Sequence, residues 1–239
     1  MADARKLAAA ALLRVEADGG YSNIVLNSAL NTSEISHADR ALASALFYGV
    51  LDRRITIDWL LSKHIKTPLK KVAPYTLTVL RCAVYQIAFM EKIPESAAVN
   101  EAVKLIKASG ERRNAAFVNA VLRNIIRTGT DLPYGNDVRT LSVRYSCPEW
   151  IVKSFINDYG EENAVELLSQ SLKTPPVTVR VNTVRTTPER LIKILEEIKG
   201  KDEEKVVSTL ILRTLKIARY EAENKGHFGI ASKYYCHFT

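Results

Sequence analysis

Apolar residues recur at helical spacing along most of the first half of the chain. This periodicity predicts helices over residues 4–16, 21–30, 36–53 and 55–64. The stretch 72–90 is longer and more strongly apolar, so we predict that it forms the central buried helix. Glycine and proline are sparse between residues 21 and 127, and β-type alternation is absent there. The pattern therefore predicts one all-helical bundle over residues 1–128.

The segment 100–127 carries two amphipathic helical patterns that are separated by a basic turn. Val103 and Ile106 belong to the first apolar face, and the second face contains Phe117, Val118, Val121, Leu122 and Ile125. Between the two faces lies Gly110-Glu111-Arg112-Arg113-Asn114, in which a glycine ends a helix and basic residues follow. A helical core that holds such a loop favours anion binding, and RNA is the large anion that we expect.

The pattern changes after Arg127. Residues 129–145 are rich in turn formers at their start and are interpreted as a linker. Helical patterns follow over 148–159 and 161–172, then an alternating stretch at 177–182, a helix from Thr187 to about residue 198 and a second candidate strand at 206–212. We therefore predict a smaller α+β unit over 146–228 and leave 229–239 as an unassigned tail. The fold class that results is mainly α: a helical bundle followed by a small α+β unit.

Composition supports a globular protein with a bias towards polyanions. Hydrophobic residues make up 47% of the 239 residues and charged residues 25%, and the net charge is +8. A positive balance favours nucleic acid without requiring it. The chain shows neither a signal-peptide pattern nor an apolar stretch of about 20 residues, so we expect a cytoplasmic protein without a membrane partner.

Residues that could carry catalysis are scattered. Cys82, Cys147 and Cys236 lie far apart and form no metal-binding spacing with the four histidines, so we expect free thiols and no metal site. Cys147 precedes a predicted helix but has no base nearby in the sequence. Asp58 and Asp39 are expected to pair locally with Arg54, Arg40 or Arg53. Common nucleotide, phosphate and zinc motifs are absent from the sequence, and we predict no catalytic or cofactor-binding residue.

Residues that could bind a polyanion are concentrated at the first helix and around the basic turn. They are Arg5, Lys6, Arg112, Arg113, Asn114, Phe117 and Arg123. Each arginine or lysine that neutralises a phosphate strengthens binding in a salt-dependent way. Phe117 has two interpretations, packing in the core or stacking on an unpaired base. The basic turn likewise is either a solvated surface or a binding site.

Several of these residues also carry a family resemblance. The sequence resembles the NusB fold at Ile93-Pro94, the run 97–103, Lys107, Gly110 and the run 117–123. NusB itself is an antitermination factor that binds RNA together with a ribosomal protein. Arg5-Lys6 is similar to the basic N-terminal RNA-binding segment of that family. The resemblance implies a helical RNA-binding domain and a possible protein partner on it.

Further motifs extend the resemblance to the NusB-type methyltransferases of the RsmB (Sun, Fmu) family, which methylate carbon 5 of a cytosine in 16S rRNA. They are the run 47–50, Arg53-Arg54, Asp58, Leu80-Arg81, Tyr85-Gln86, the run 145–150 and Arg180-Val181-Asn182-Thr183. Arg180 resembles the start of a strand that enters a small RNA-recognition subdomain, which implies a role in RNA binding. The resemblance makes rRNA the expected partner.

The residues that perform methylation in the RsmB family have no counterpart in this sequence. The glycine-rich cofactor loop, the Pro-Cys motif and the Thr-Cys-Ser motif of that family do not occur. We therefore expect the N-terminal portion of such an enzyme, truncated or frameshifted, while the full-length family member uses S-adenosylmethionine. Two alternatives stay open: a subunit of an active methyltransferase complex, and a NusB-like antitermination or protein-interaction module. The RNA element and the oligomeric state are not assigned.

Overall fold

The structure is a computed structural model of the 239-residue chain, and it describes residues 3–173, 187 and 189–193. Contacts divide the chain into two units, Met1–Lys173 and Thr174–Thr239. Within the first unit the described residues form α1 (Ala4–Asp18), α2 (Ser22–Asn31), α3 (His37–Asp52), α4 (Arg54–His64), α5 (Pro74–Phe89), α6 (Glu95–Lys107), α7 (Ala115–Thr128), α8 (Val138–Tyr145), α9 (Glu149–Tyr159) and α10 (Glu161–Ser171). Short 3-10 turns lie at Leu69–Lys71 and Arg112–Asn114.

The predicted helices of the bundle are confirmed, and their ends follow from local chemistry. Gly19 ends α1 in the left-handed conformation with a φ of 62°, which a glycine adopts without strain. Ser36 caps α3, since its hydroxyl accepts the backbone N–H of Asp39 and donates to the Asp39 carboxylate at 2.7 Å. Helix α5 starts at Pro74, because proline lacks an N–H and fits the first turn.

Helix α5 is the central element of the bundle, as its apolar sequence predicts. It packs against α1, α3, α4, α6 and α7. Leu80 and Val84 of this helix are fully buried, together with Phe47 of α3, Ile57 of α4 and Leu122 of α7. One hydrophobic core therefore holds both helices that flank the basic turn.

Helices α3 and α5 approach each other closely at Gly49. A Cβ atom added at this glycine would lie 2.0 Å from the ring of Tyr85. Only glycine leaves room for the tyrosine ring at this crossing. The residue thus sets the distance between two helices of the core.

A buried ionic cluster joins three of the helices. Arg81 of α5 is 4% exposed and donates to both carboxylate oxygens of Asp58, at 2.7 and 2.8 Å. Its remaining terminal nitrogen donates to Glu16 of α1 at 2.6 Å. Arg54 lies 3.1 Å from Glu16 but 4.0 Å from Asp58. The expectation of local pairing was therefore incomplete, because the main partner of Asp58 comes from a helix 23 residues away in the sequence.

Helices α8, α9 and α10 form a smaller cluster around Leu141, Val152 and Leu168. The predicted helices α9 and α10 are confirmed, whereas the hydrophobic pattern did not indicate α8. Its first turn is capped by Asp137, whose carboxylate accepts the N–H of Thr140 at 3.0 Å. In the second unit, residues 189–193 are helical as predicted, but the candidate strands at 177–182 and 206–212 lie outside the described residues.

Candidate nucleic-acid interface

The basic turn between α6 and α7 is fixed to the start of α5 by side-chain hydrogen bonds. The Glu111 carboxylate accepts the backbone N–H of Thr76 at 2.8 Å and also accepts the Thr76 hydroxyl. The Asn114 side-chain amide donates to the same hydroxyl at 2.9 Å. Thr76 is fully buried. These contacts, which we call the Thr76 clamp, hold both ends of the arginine pair in place.

Arg112 and Arg113 occupy the 3-10 turn between the two clamp residues. Both side chains are exposed, and neither forms a hydrogen bond or an ion pair within the part of the chain that the structure describes. Their positive charges are therefore available to a ligand. A fixed backbone below two free guanidinium groups reduces the entropy that binding would cost.

Phe117 lies in the first turn of α7, directly after the basic turn. Its side chain is 37% exposed, whereas Val118, Val121 and Leu122 of the same helix are at most 5% exposed. Phe117 thus lies off the buried stripe of α7 and does not belong to the core. An exposed ring next to free cations can stack on a base.

Lys6 of α1 reaches the same end of the bundle. It lines a shallow groove of about 220 Å³ together with Ala10, Tyr75, Leu105, Ala108 and Ser109. Ser109 leads directly into the basic turn, since its hydroxyl accepts the N–H of Glu111. The structure therefore brings Lys6 near the turn, although the two are more than 100 positions apart in the sequence.

Arg5 and Asn114 make intramolecular contacts that the sequence did not indicate. The Nε of Arg5 donates to the Gln86 side chain at 2.8 Å, and the Gln86 amide donates in turn to the carbonyl of Cys82. Asn114 is part of the Thr76 clamp. Both residues thus hold helices or loops together. Their predicted contacts with RNA stay predictions, as does that of Arg180, which lies outside the described residues.

Arg123 borders a second groove, which runs between α6 and α7. Its Nε donates to the Asn119 side chain at 3.1 Å. Asn119 lines the groove with Asn100, Val103, Lys104 and Lys107, and the groove measures about 320 Å³. Lys104 and Lys107 were absent from the predicted set of binding residues. Their spacing of three on the polar face of α6 was the signal that could have identified them.

Cys147 and His64 are two further titratable groups whose pKa values are shifted by their surroundings. Burial raises the pKa of the Cys147 thiol, so less of it is thiolate at a given pH than in an exposed cysteine. Burial, and to a lesser extent the charge of Lys63, lowers the pKa of His64. The ring nitrogens of His64 contact Asn124 at 2.9 Å and Thr128 at 3.3 Å. His64 is therefore held at the end of α4, as a surface or capping residue would be.

Two further observations concern only the described residues. Their histidine, cysteine, aspartate and glutamate side chains form no group that could hold a metal ion. None of their helices has both the length and the apolar character that crossing a bilayer requires.

The sequence matches two family models. Residues 2–127 match the NusB family, and residues 147–215 match the ferredoxin-like domain of RsmF/B-like methyltransferases. The first match covers the bundle α1–α7. The second begins just before α9 and covers most of residues 146–228, for which an α+β unit was predicted.

Curated relatives have the same two affiliations. Over 79% of this chain, the sequence is 37% identical to a probable ribosomal RNA small subunit methyltransferase B of Bacillus subtilis. Over 83% of this chain, it is 28% identical to a probable ribosomal RNA small subunit methyltransferase B of Synechocystis. It is 30% identical to the transcription antitermination protein NusB of Shewanella baltica over 52% of its length. The chain spans 42% and 45% of the two methyltransferases and 92% of the NusB protein.

Solved structures share the fold. A chain from the crystal structure of a plectonemic RNA supercoil aligns with a TM-score of 0.50 at 21% identity, covering 52% of this chain and 92% of that one. The structure of PH0851 aligns with a TM-score of 0.59 at 17% identity, covering 82% of this chain and 45% of that one. With a helical bundle, a family model over 2–127 and relatives of both kinds, the chain belongs to the NusB family and continues into a ferredoxin-like domain of the RsmF/B type.

Proposed function

We propose that this chain binds RNA through the basic turn between α6 and α7, as the N-terminal portion of a 16S rRNA cytosine-C5 methyltransferase. The observation that supports RNA binding most is the Thr76 clamp, which presents on a fixed backbone two exposed arginines that have no partner among the described residues. Guanidinium groups match phosphate oxygens in bidentate geometry. Phe117, exposed beside them, offers a ring on which an unpaired base can stack.

The identity of the RNA rests on the relatives. Two of them are named ribosomal RNA small subunit methyltransferases, and the ferredoxin-like match at 147–215 is of the same methyltransferase type. Because the chain spans less than half of their length, catalysis is not assigned to it. The cofactor and nucleophile motifs expected for S-adenosylmethionine-dependent cytosine methylation are absent from its sequence. In this proposal the chain binds rRNA and has no methyltransferase activity alone.

A second candidate function is a NusB-like antitermination or protein-interaction module. It is favoured by the match to NusB proteins over 92% of their length, which the α1–α7 bundle accounts for. In this case the basic turn would act with a protein partner on the bundle. A subunit of an active methyltransferase complex is a third form, in which a separate chain supplies the catalytic residues.

Binding of the purified chain to fragments of 16S rRNA separates these candidates. The proposal predicts affinity for particular fragments that exceeds the affinity for an unrelated RNA of equal length and falls steeply with salt. Equal, weak binding to every RNA would contradict it and favour the protein-interaction module. A parallel titration with S-adenosylmethionine tests the catalytic part. Saturable binding of the cofactor to this chain alone would overturn the proposal that catalysis lies elsewhere.

A further inference from the structure

The groove between α6 and α7 is lined mainly by side chains that end in amide or ammonium groups. Two amides and two lysines line it, from Asn100, Asn119, Lys104 and Lys107, and Val103 is its one apolar lining residue. Arg123 adds a third cation at the edge through its hydrogen bond to Asn119. Since the groove measures about 320 Å³, it can receive several polar groups of a ligand at the surface.

Among the described residues, the charges along this groove are largely unneutralised. The side chain of Lys104 is 72% exposed, and its ammonium group lies 3.5 Å from Glu101, a surface pair of low energy. Lys107 is exposed and has no ion-pair partner among the described residues. The two lysines are three residues apart, so they are separated by about 4.5 Å along the helix axis. They present two positive charges in a row.

The amide groups add hydrogen-bonding capacity that the described part of the chain does not use. Asn119 accepts from Arg123 through its carbonyl oxygen, and its NH₂ group makes no hydrogen bond within the described part of the chain. Amides of this kind can donate to phosphate oxygens or bond to ribose hydroxyl groups. Cations with amides between them suit a sugar–phosphate chain.

One end of the groove lies next to the segment that leads into the basic turn. Lys107 is the last residue of α6, five positions before Arg112, and Asn119 is two positions after Phe117 on α7. Lys107 therefore lies at the end of the groove from which the chain enters the basic turn, whereas Phe117 and Asn119 face different sides of α7. From this arrangement we infer that the α6–α7 groove binds the sugar–phosphate backbone of single-stranded RNA that extends from the basic turn. This inference rests on the proposed function and names the path of the strand.

An acidic protein segment is the competing occupant. Protein interfaces are centred on apolar or aromatic anchors that fill desolvated pockets. The groove is lined instead by two lysines, a residue type that is depleted from the centres of protein interfaces, and by no aromatic side chain. The lining therefore favours RNA.

The test compares a groove variant, Lys104→Ala with Lys107→Ala, with a control variant, Arg139→Ala with Lys153→Ala. The control removes the same charge from exposed positions on α8 and α9, of which α8 packs against α4. Two phosphate contacts contribute about 1.4 to the slope of log K against log salt for a single strand, which equals about 25-fold in affinity at 0.1 M salt. We expect this loss in the groove variant and not in the control.

Binding of labelled oligouridines of about 4 and about 16 nucleotides shows which part of the strand loses affinity in the groove variant. The groove variant should weaken binding of the longer oligouridine far more than that of the shorter one, because the short strand is held at the basic turn. If Arg112→Ala with Arg113→Ala weakens binding while the groove variant binds the long strand as the wild type does, this inference is wrong and the proposed function stands. If the wild type binds neither oligouridine nor rRNA fragments, both are wrong. If the groove variant loses its binding of a labelled oligoglutamate peptide but keeps its affinity for RNA, the groove binds a protein partner and the inference is wrong.

Discussion

The carboxylate of Glu111 accepts two hydrogen bonds from Thr76, one from its backbone N–H at 2.8 Å and one from its hydroxyl. Thr76 lies in the first turn of the central helix α5, where backbone N–H groups have no partner within the helix. A residue of the basic turn therefore caps the helix at the centre of the core. The position of Arg112 and Arg113 thus depends on the same contacts as the stability of α5.

Replacing Glu111 with alanine should destabilise the fold. Loss of a helix cap costs about 1 kcal/mol, which lowers the melting temperature of a domain of this size by about 2–4 °C. Thermal unfolding followed by circular dichroism measures the change. Glu34→Ala, an exposed carboxylate between α2 and α3, is the matched control and should melt as the wild type does. Equal melting temperatures for the two variants would contradict the capping role.

Replacing Arg81 with methionine should destabilise the protein more than any other single charge removal in the ionic cluster. The variant keeps the length of the side chain but leaves the half-buried carboxylates of Asp58 and Glu16 without their main partner. Breaking a buried pair on one side costs about 3–5 kcal/mol, and the partial exposure of the carboxylates favours the lower end of that range. Urea unfolding gives the free energy of unfolding.

Arg54→Met serves as the comparison for the ionic cluster. Its side chain is 44% exposed, so its ion pair with Glu16 is screened by water and its loss should cost well under half as much. Similar losses for the two variants would mean that the burial of Arg81 does not set the energy of the cluster.

Gly49→Ala should also destabilise the core. The new methyl group would overlap the Tyr85 ring, and excess volume in a packed core costs about 1–3 kcal/mol. Gly110→Ala is the control, since a Cβ atom there meets no heavy atom within 4 Å. Chemical denaturation should show a loss for Gly49→Ala and little change for Gly110→Ala. A neutral Gly49→Ala would show that α3 and α5 can separate without cost.

Cys82 should be inert in the native protein. Burial raises its pKa to about 12, so the thiolate that reacts with alkylating or disulfide reagents is scarce at neutral pH. Labelling with a thiol reagent at pH 8, in a Cys236→Ser background, should modify Cys82 only when denaturant unfolds the chain. Rapid native labelling of Cys82, identified by mass spectrometry of peptides, would show that the core around α5 opens readily.

The same pKa shift links stability to pH. The unfolded thiol ionises above its ordinary pKa of 9.0, while the folded thiol stays protonated up to about 12. The contribution of Cys82 is therefore complete below pH 9 and is lost progressively as the pH rises above it. The difference in unfolding free energy between wild type and Cys82→Ala should shrink over this interval. A constant difference from pH 8 to pH 11 would contradict the shift.

Much of the helical bundle could be predicted from the sequence because its signals are local. The glycine after α1, the Ser36 cap and the long apolar run of α5 each specify an element through neighbouring residues. Helix α8 was missed because it has only 8 residues and follows a turn-rich stretch. A segment of this length is too short for its helical periodicity to be recognised. The sequence signal for α8 was Asp137, whose carboxylate caps the helix by accepting the N–H of Thr140.

The candidate interface was less accessible to sequence reasoning, since it depends on contacts between distant segments. The basic turn was identified from its own residues, but its attachment to Thr76, 35 positions away, had no local signal. The contact of Arg5 with Gln86 spans 81 positions. Sequence could therefore name the cations, whereas the structure showed which of them have intramolecular partners.

The salt dependence of RNA binding by wild type and by Arg112→Ala with Arg113→Ala tests the central claim most directly. Both arginines are exposed, and their removal leaves the Thr76 clamp intact, so the variant should fold normally. If each contacts a phosphate, the slope of log K against log salt for a 16S rRNA fragment should decrease by about 1.4 and the affinity at 0.1 M salt should fall by about 25-fold. An unchanged slope and affinity in the folded variant would show that the basic turn is a solvated surface and does not bind RNA.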